Sequence, residues 1–117
     1  MIFISFLSTS GFKTGVDDFN KLLQMNFTKE RSVGFYAAAL HMHPNRLNFL
    51  VKKYTGISAK QSIIDYTIAE AKFLLGSSSL TIKEISHQLG FDDPNYFSAF
   101  FRKKMKISPA QYRPNPV

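Results

Sequence analysis

Two stretches of this chain, fifty residues apart, carry the same punctuation, and that internal repeat restricts the fold more than any other feature. Setting Pro44 on Pro94 also sets Asn45 on Asn95, Leu47 on Phe97, Leu50 on Phe100, Val51 on Phe101, Lys52-Lys53 on Arg102-Lys103 and Ile57-Ser58 on Ile107-Ser108. The Pro-Asn and basic pairs match as well as the apolar stripe does, which argues against chance likeness between two amphipathic helices. Upstream the register shifts by one, so that Ser32, Val33, Tyr36 and Leu40 fall on Thr81, Ile82, Ile85 and Leu89. A turn absorbs one extra residue where a helix does not. The shift therefore puts a turn in the middle of each unit.

The local chemistry agrees. Thr81 and Glu84 form a capping-box pattern that opens a short helix with Ile82, Ile85 and Leu89 on one face. Gly90 supplies the left-handed residue that ends it. Asp93 can then cap a second helix whose first position is Pro94, with Phe97, Phe100 and Phe101 as its buried stripe. In the first copy Ser32 opens the leading helix, and His41 stands where Gly90 stands. Histidine is among the few non-glycine types that visit the left-handed region. The following helix runs from Pro44 to about Tyr54, burying Leu47, Leu50, Val51 and Tyr54, and Gly56 stops it. Two short helices joined by such a turn are a helix-turn-helix, a motif whose second helix enters the major groove in proteins that bind DNA.

The remaining segments frame these units. Residues 1–15 read as an N-terminal tail or linker stub, or as an extension packing back through Phe3 and Phe6; their apolar run is too short to cross a bilayer and has no basic flank before it. A support helix is expected from about Asp17, capped by Asp17 or Asp18, with Phe19, Leu22, Leu23, Asn26 and Phe27 on one face. Ser58 and Gln61 form a further capping-box pattern at the start of a long helix ending near Gly76, roughly 27 Å long at 1.5 Å per residue. Ser108-Pro109 opens a last helical turn with Tyr112 and Arg113. The expectation is an all-α fold in which two helix-turn-helix subdomains, residues 16–57 and 77–117, are joined by a linking helix, 58–76. A rigid spacer of that order suits two recognition helices reading successive major-groove segments roughly 34 Å apart.

With 117 residues, 44% of them hydrophobic and 12 of them Phe, the chain can fill one domain or two very small subdomains. The net charge of +7 favours a polyanionic partner but serves solubility or an anionic membrane surface equally well. The absence of Cys excludes disulfides, thiolate zinc sites and cysteine nucleophiles, and makes a reducing compartment such as the cytoplasm the natural home.

These motifs together resemble the DNA-binding domain of the bacterial AraC/XylS family of transcription regulators. The second half carries the resemblance in Ile85, Gly90-Phe91, Asp93, Tyr96-Phe97, Phe101-Arg102, Ser108-Pro109 and Tyr112-Arg113. The first half carries it in Ala37, Leu40, Leu47, Lys52, Gly56, Ala71-Lys72 and Leu74-Leu75. Thr67 departs from the Arg usual in the family's linking helix, and Lys106 from a usual Gly. The resemblance implies a domain that binds double-stranded promoter DNA and contacts RNA polymerase. No cofactor, metal, catalysis or small-molecule ligand is expected within this chain, and an activator is among the expectations.

The helix period names the candidate contacts. With Leu47, Leu50 and Val51 turned inwards, Asn45, Asn48, Phe49 and Lys52 form an outward strip at i, i+3, i+4 and i+7, flanked by Arg46 and Lys53. The repeat adds Asn95, Ser98, Ala99 and Arg102. Asn suits adenine, Ser several bases, and Phe or Ala a thymine methyl, so the candidate base contacts are Asn45, Arg46, Asn48, Phe49, Asn95, Ser98 and Ala99. Lys52, Lys53, Arg102, Lys103 and Lys104 are candidate phosphate contacts, with the backbone amides of Thr81 and Ile82. His41 and His43 have neither Cys nor a carboxylate beside them to complete a metal site, Asp92 and Asp93 read as turn and cap residues, and no nucleophile signature surrounds any Ser. Spacing assigns Phe97, Phe100 and Phe101 to the core in place of a base-stacking platform. The alternative function is a protein-interaction module of the same fold, acting on another regulator or on RNA polymerase.

Overall fold

A computed structural model describes residues 12–114, which form seven helices: α1 (Phe12–Asn26), α2 (Val33–Ala39), α3 (Pro44–Thr55), α4 (Ala59–Ser77), α5 (Ile82–Gln88), α6 (Pro94–Met105) and α7 (Pro109–Tyr112). No strand occurs among the described residues, and the all-α expectation holds. The chain divides into two compact units that part between Ile64 and Asp65, inside α4.

In the first unit α1 and α2 both pack on α3. Phe19, Tyr36 and Leu47 are fully buried, and the Phe19 ring meets Tyr36 edge-on at 5.5 Å. The Tyr36 hydroxyl donates to the Glu30 carbonyl at 2.6 Å, so the polar end of this buried ring is satisfied. Two expectations need correction here. α1 begins at Phe12, so residues 12–15 are helical and neither Asp17 nor Asp18 is a cap. The buried stripe includes Val16 one turn before Phe19, and Gly15 does not interrupt the helix; a Cβ at Gly15 meets Leu50 Cδ1 at 3.5 Å, an ordinary contact. Asp18 is buried, and that burial raises its pKa above the usual carboxylate value, Lys21 opposing and Asp17 adding. The second correction is Tyr54, which is 48% exposed. Helical period gives the side of a residue, not how far along the helix its neighbours extend, and burial on α3 stops at Val51. The expectations for residues 1–11, Phe3 and Phe6 among them, lie outside the described residues.

In the second unit an aromatic cluster joins the turn to α6 and α7. Phe91 lies 5.4 Å from Phe97 and 5.3 Å from Phe100, and Phe101 meets Tyr112 at 5.6 Å. Of the expected stripe, Phe97 and Phe101 are fully buried and Phe100 is half-buried. Thr67, where the family usually has Arg, is fully buried as well. Arg113 reaches back to the end of α4, its Nε donating to Leu75 O at 3.1 Å and its Nη2 to Ser78 O at 3.3 Å.

Candidate nucleic-acid interface

Each helix-turn-helix unit is set by its turn. In the first, Met42 N donates to Ala37 O and His41 N to Ala38 O; in the second, Phe91 N donates to Ser86 O and Gly90 N to His87 O. Both are Schellman closures, which need a left-handed residue just past the helix end. His41 takes φ 59° and Gly90 φ 90°, so histidine fills the place of glycine. The first turn has four residues, 40–43, and the second five, 89–93, which is the register shift seen in the repeat. His43 Nδ1 accepts Asn45 N–H at 3.0 Å, and Asp93 Oδ1 accepts Asn95 N–H at 2.8 Å. Two different side chains perform the same cap, each preceding a proline at the first helical position. Both helices end on a left-handed residue, Gly56 in α3 and Lys106 in α6.

On α3 the expected strip faces outwards. Asn45, Arg46, Asn48, Phe49, Lys52 and Lys53 are all exposed, and Asn45, Asn48, Phe49, Lys52 and Lys53 line one open concavity. Phe49 is 52% exposed, and the Lys53 ammonium stands 5.9 Å from its ring centroid, within cation–π range. A planar apolar face bordered by two cations and an amide suits a base edge flanked by phosphates. Asn48 is less free than its exposure implies: its Oδ1 accepts the Ala59 N–H at 2.9 Å.

On α6, Asn95, Ala99, Arg102 and Lys103 are exposed and Ser98 is half-buried. Two of the candidates, Lys104 and Thr81, have partners within the chain. The Lys104 ammonium is 3.0 Å from the Asp65 carboxylate of α4, because position 104 lies on the Phe97 side of the helix. Thr81 N–H donates to Glu84 Oε1 at 2.8 Å, and Thr81 Oγ1 accepts Glu84 N–H at 3.0 Å. The capping box that marks this helix start thus occupies the Thr81 amide and sets a carboxylate beside Ile82, held below its usual pKa first by the Thr81 backbone N–H and then by the Thr81 side chain. Tyr96, which was not among the candidate contacts, is 72% exposed beside them on α6. The repeat signalled it, since Tyr96, Ala99 and Lys103 match Arg46, Phe49 and Lys53.

A family profile described as "Helix-turn-helix domain" matches residues 36–115. The chain belongs to the AraC/XylS family of transcription regulators. It is 36% identical over 72 residues to the arabinose operon regulatory protein of Escherichia coli K12, covering 62% of this chain and 25% of that one. Among solved structures, the C-terminal domain of AraT, a response regulator from Geobacillus stearothermophilus, superposes with a TM-score of 0.78 at 31% identity, covering 89% of this chain and 87% of the other. The DNA-binding domain of AdpA, in complex with a target DNA, shares the fold with a TM-score of 0.74 at 23% identity, over 85% and 89% of the two chains. The chain spans about a quarter of the length of the curated AraC/XylS relatives it matches. Among the described residues no helix is long and apolar enough to cross a membrane, and no three His or acidic side chains are grouped to hold a metal ion.

Proposed function

We propose that this AraC/XylS chain is the promoter-binding part of a transcription regulator, working in the cytoplasm, in which α3 and α6 enter successive major-groove segments of one duplex. The observation that carries the reading is the outer face of α3, where Asn45, Phe49, Lys52 and Lys53 line one concavity behind a capped N-terminus. Asn45, Arg46 and Phe49 read bases there, with Lys52 and Lys53 on phosphates; Asn95, Ser98, Ala99 and Tyr96 take the matching places on α6, with Arg102 and Lys103 on the backbone. The target DNA held by the AdpA domain supports the same partner here. Because the two helices differ in sequence, a single chain reads an asymmetric site of two blocks joined through the linking helix, and RNA polymerase is the partner that receives the signal.

Asn45 tests this reading. Its amide matches the N6 and N7 groups of adenine, and Phe49 beside it suits a thymine methyl, so the first block is A·T-rich. Asn45→Ala should cost roughly 1–3 kcal/mol on the selected site, much less on random duplex, and relax one base pair. Equal losses on both duplexes in a gel-shift titration at one salt concentration would show that Asn45 reads no base. Failure of the wild-type chain to bind any duplex below about 10⁻⁴ M would remove the DNA-binding reading itself.

A further inference from the structure

Asn48 is the strip residue that the two copies of the repeat use differently. Ala59 is the first residue of α4 and is fully buried, so its N–H has neither an intrahelical acceptor nor water. Asn48 Oδ1 supplies that acceptor from α3, while Ser58 Oγ accepts the Gln61 N–H at 3.0 Å. In the second copy the matching residues are Ser98 and Pro109. Proline has no N–H, so the start of α7 makes no such demand on Ser98. The bond also settles which way the Asn48 amide points, because only its oxygen can face a donor.

Pairing of an Asn amide with adenine requires the oxygen to accept from N6 while the nitrogen donates to N7, both aimed at one base edge. With Oδ1 turned to α4, Asn48 offers the groove only Nδ2. We propose that Asn48 is a positioning residue that clasps the recognition helix α3 to the first turn of α4 and meets DNA as a hydrogen-bond donor alone. It then accepts either purine through N7, and the choice of adenine over guanine in the first block falls to Asn45. The groove half of this proposal rests on α3 being a DNA-reading helix; the clasp does not.

The clasp is tested on the free chain by amide hydrogen exchange. Ala59 should exchange at least about tenfold faster in Asn48→Ala, and Asn48→Asp, which keeps an acceptor, should restore protection. Equal Ala59 exchange in wild type and Asn48→Ala would overturn the clasp. The groove half is tested by replacing A·T with G·C along the selected site. Wild type should lose roughly tenfold or more at the pair relaxed by Asn45→Ala, but less than about twofold at the pair where Asn48→Ala abolishes the purine preference. A tenfold preference for adenine over guanine that vanishes in Asn48→Ala overturns donor-only contact. A wild-type chain that binds no duplex overturns the groove half together with the function proposed above, and the exchange result then decides the clasp alone.

Discussion

Lys106 closes α6 at φ 70°, where the other recognition helix has Gly56 at φ 85°. A left-handed backbone brings an L residue's Cβ against the carbonyl oxygen, a strain on the order of 1 kcal/mol that glycine avoids. Lys106→Gly should therefore stabilise the chain by about 0.5–1 kcal/mol in urea unfolding. Gly56→Ala should destabilise it by a similar amount, although nothing lies within 4 Å of the added Cβ, because the strain is in the backbone. A neutral result at both positions would mean that the helix ends relax. Tyr36 makes a second prediction of the same scale. Burial, with Glu30 adding and Arg31 opposing, pushes its pKa from 10.0 up to about 12. Between those values the unfolded chain has lost the proton and the folded chain keeps it, so the contribution is whole below pH 10 and is lost as pH rises through 12. The loss should reach on the order of 2 kcal/mol. Lysines titrate in the same range, so the readout is the difference from Tyr36→Phe, whose stability should fall less steeply with pH.

At the scale of elements, what the sequence made legible is what neighbouring residues decide. The Thr81 capping box, the caps at Asp93 and Ser32, and the left-handed His41 all depend on residues within one turn. The start of α1 was not legible, because Gly15 reads as a break until Leu50 is known to lie beside it. The same limit applies to the candidate site. Period placed the outward strips, but Asn48 is diverted to Ala59 and Lys104 to Asp65 by partners on another helix. Arg113 belongs to this class: it was legible as a member of the last turn, not as the group that closes α4. Its guanidinium bridges two carbonyls at a helix C-terminus, where a cation is favourable. Arg113→Ala should cost about 1–2 kcal/mol in thermal or urea unfolding. Arg113→Lys should recover less than half of that, since an ammonium lacks the planar fork that reaches both oxygens. Full recovery by Lys would reduce the role to charge alone.

At the scale of the molecule, a net charge of +7 tells nothing until the cations are sorted by where they sit. Lys52, Lys53, Arg102 and Lys103 are exposed at the ends of the two recognition helices, and Lys104 is held by Asp65. Each phosphate neutralised on duplex DNA releases counterions, and the slope of log affinity against log salt changes by roughly 0.9 per contact. Lys103→Ala should therefore flatten the slope by about that amount and weaken binding alike on selected and random sequences. Lys104→Ala, one residue on, should leave the slope unchanged, because its charge is already paired. It should also cost well under 1 kcal/mol of stability, since both partners are about 40% exposed and water screens them. Titrations of both variants at several salt concentrations decide the matter. Two equally flattened slopes would mean that the Asp65 pair opens on DNA and that Lys104 returns to the backbone contacts; an unchanged slope for Lys103→Ala would remove the end of α6 from the interface.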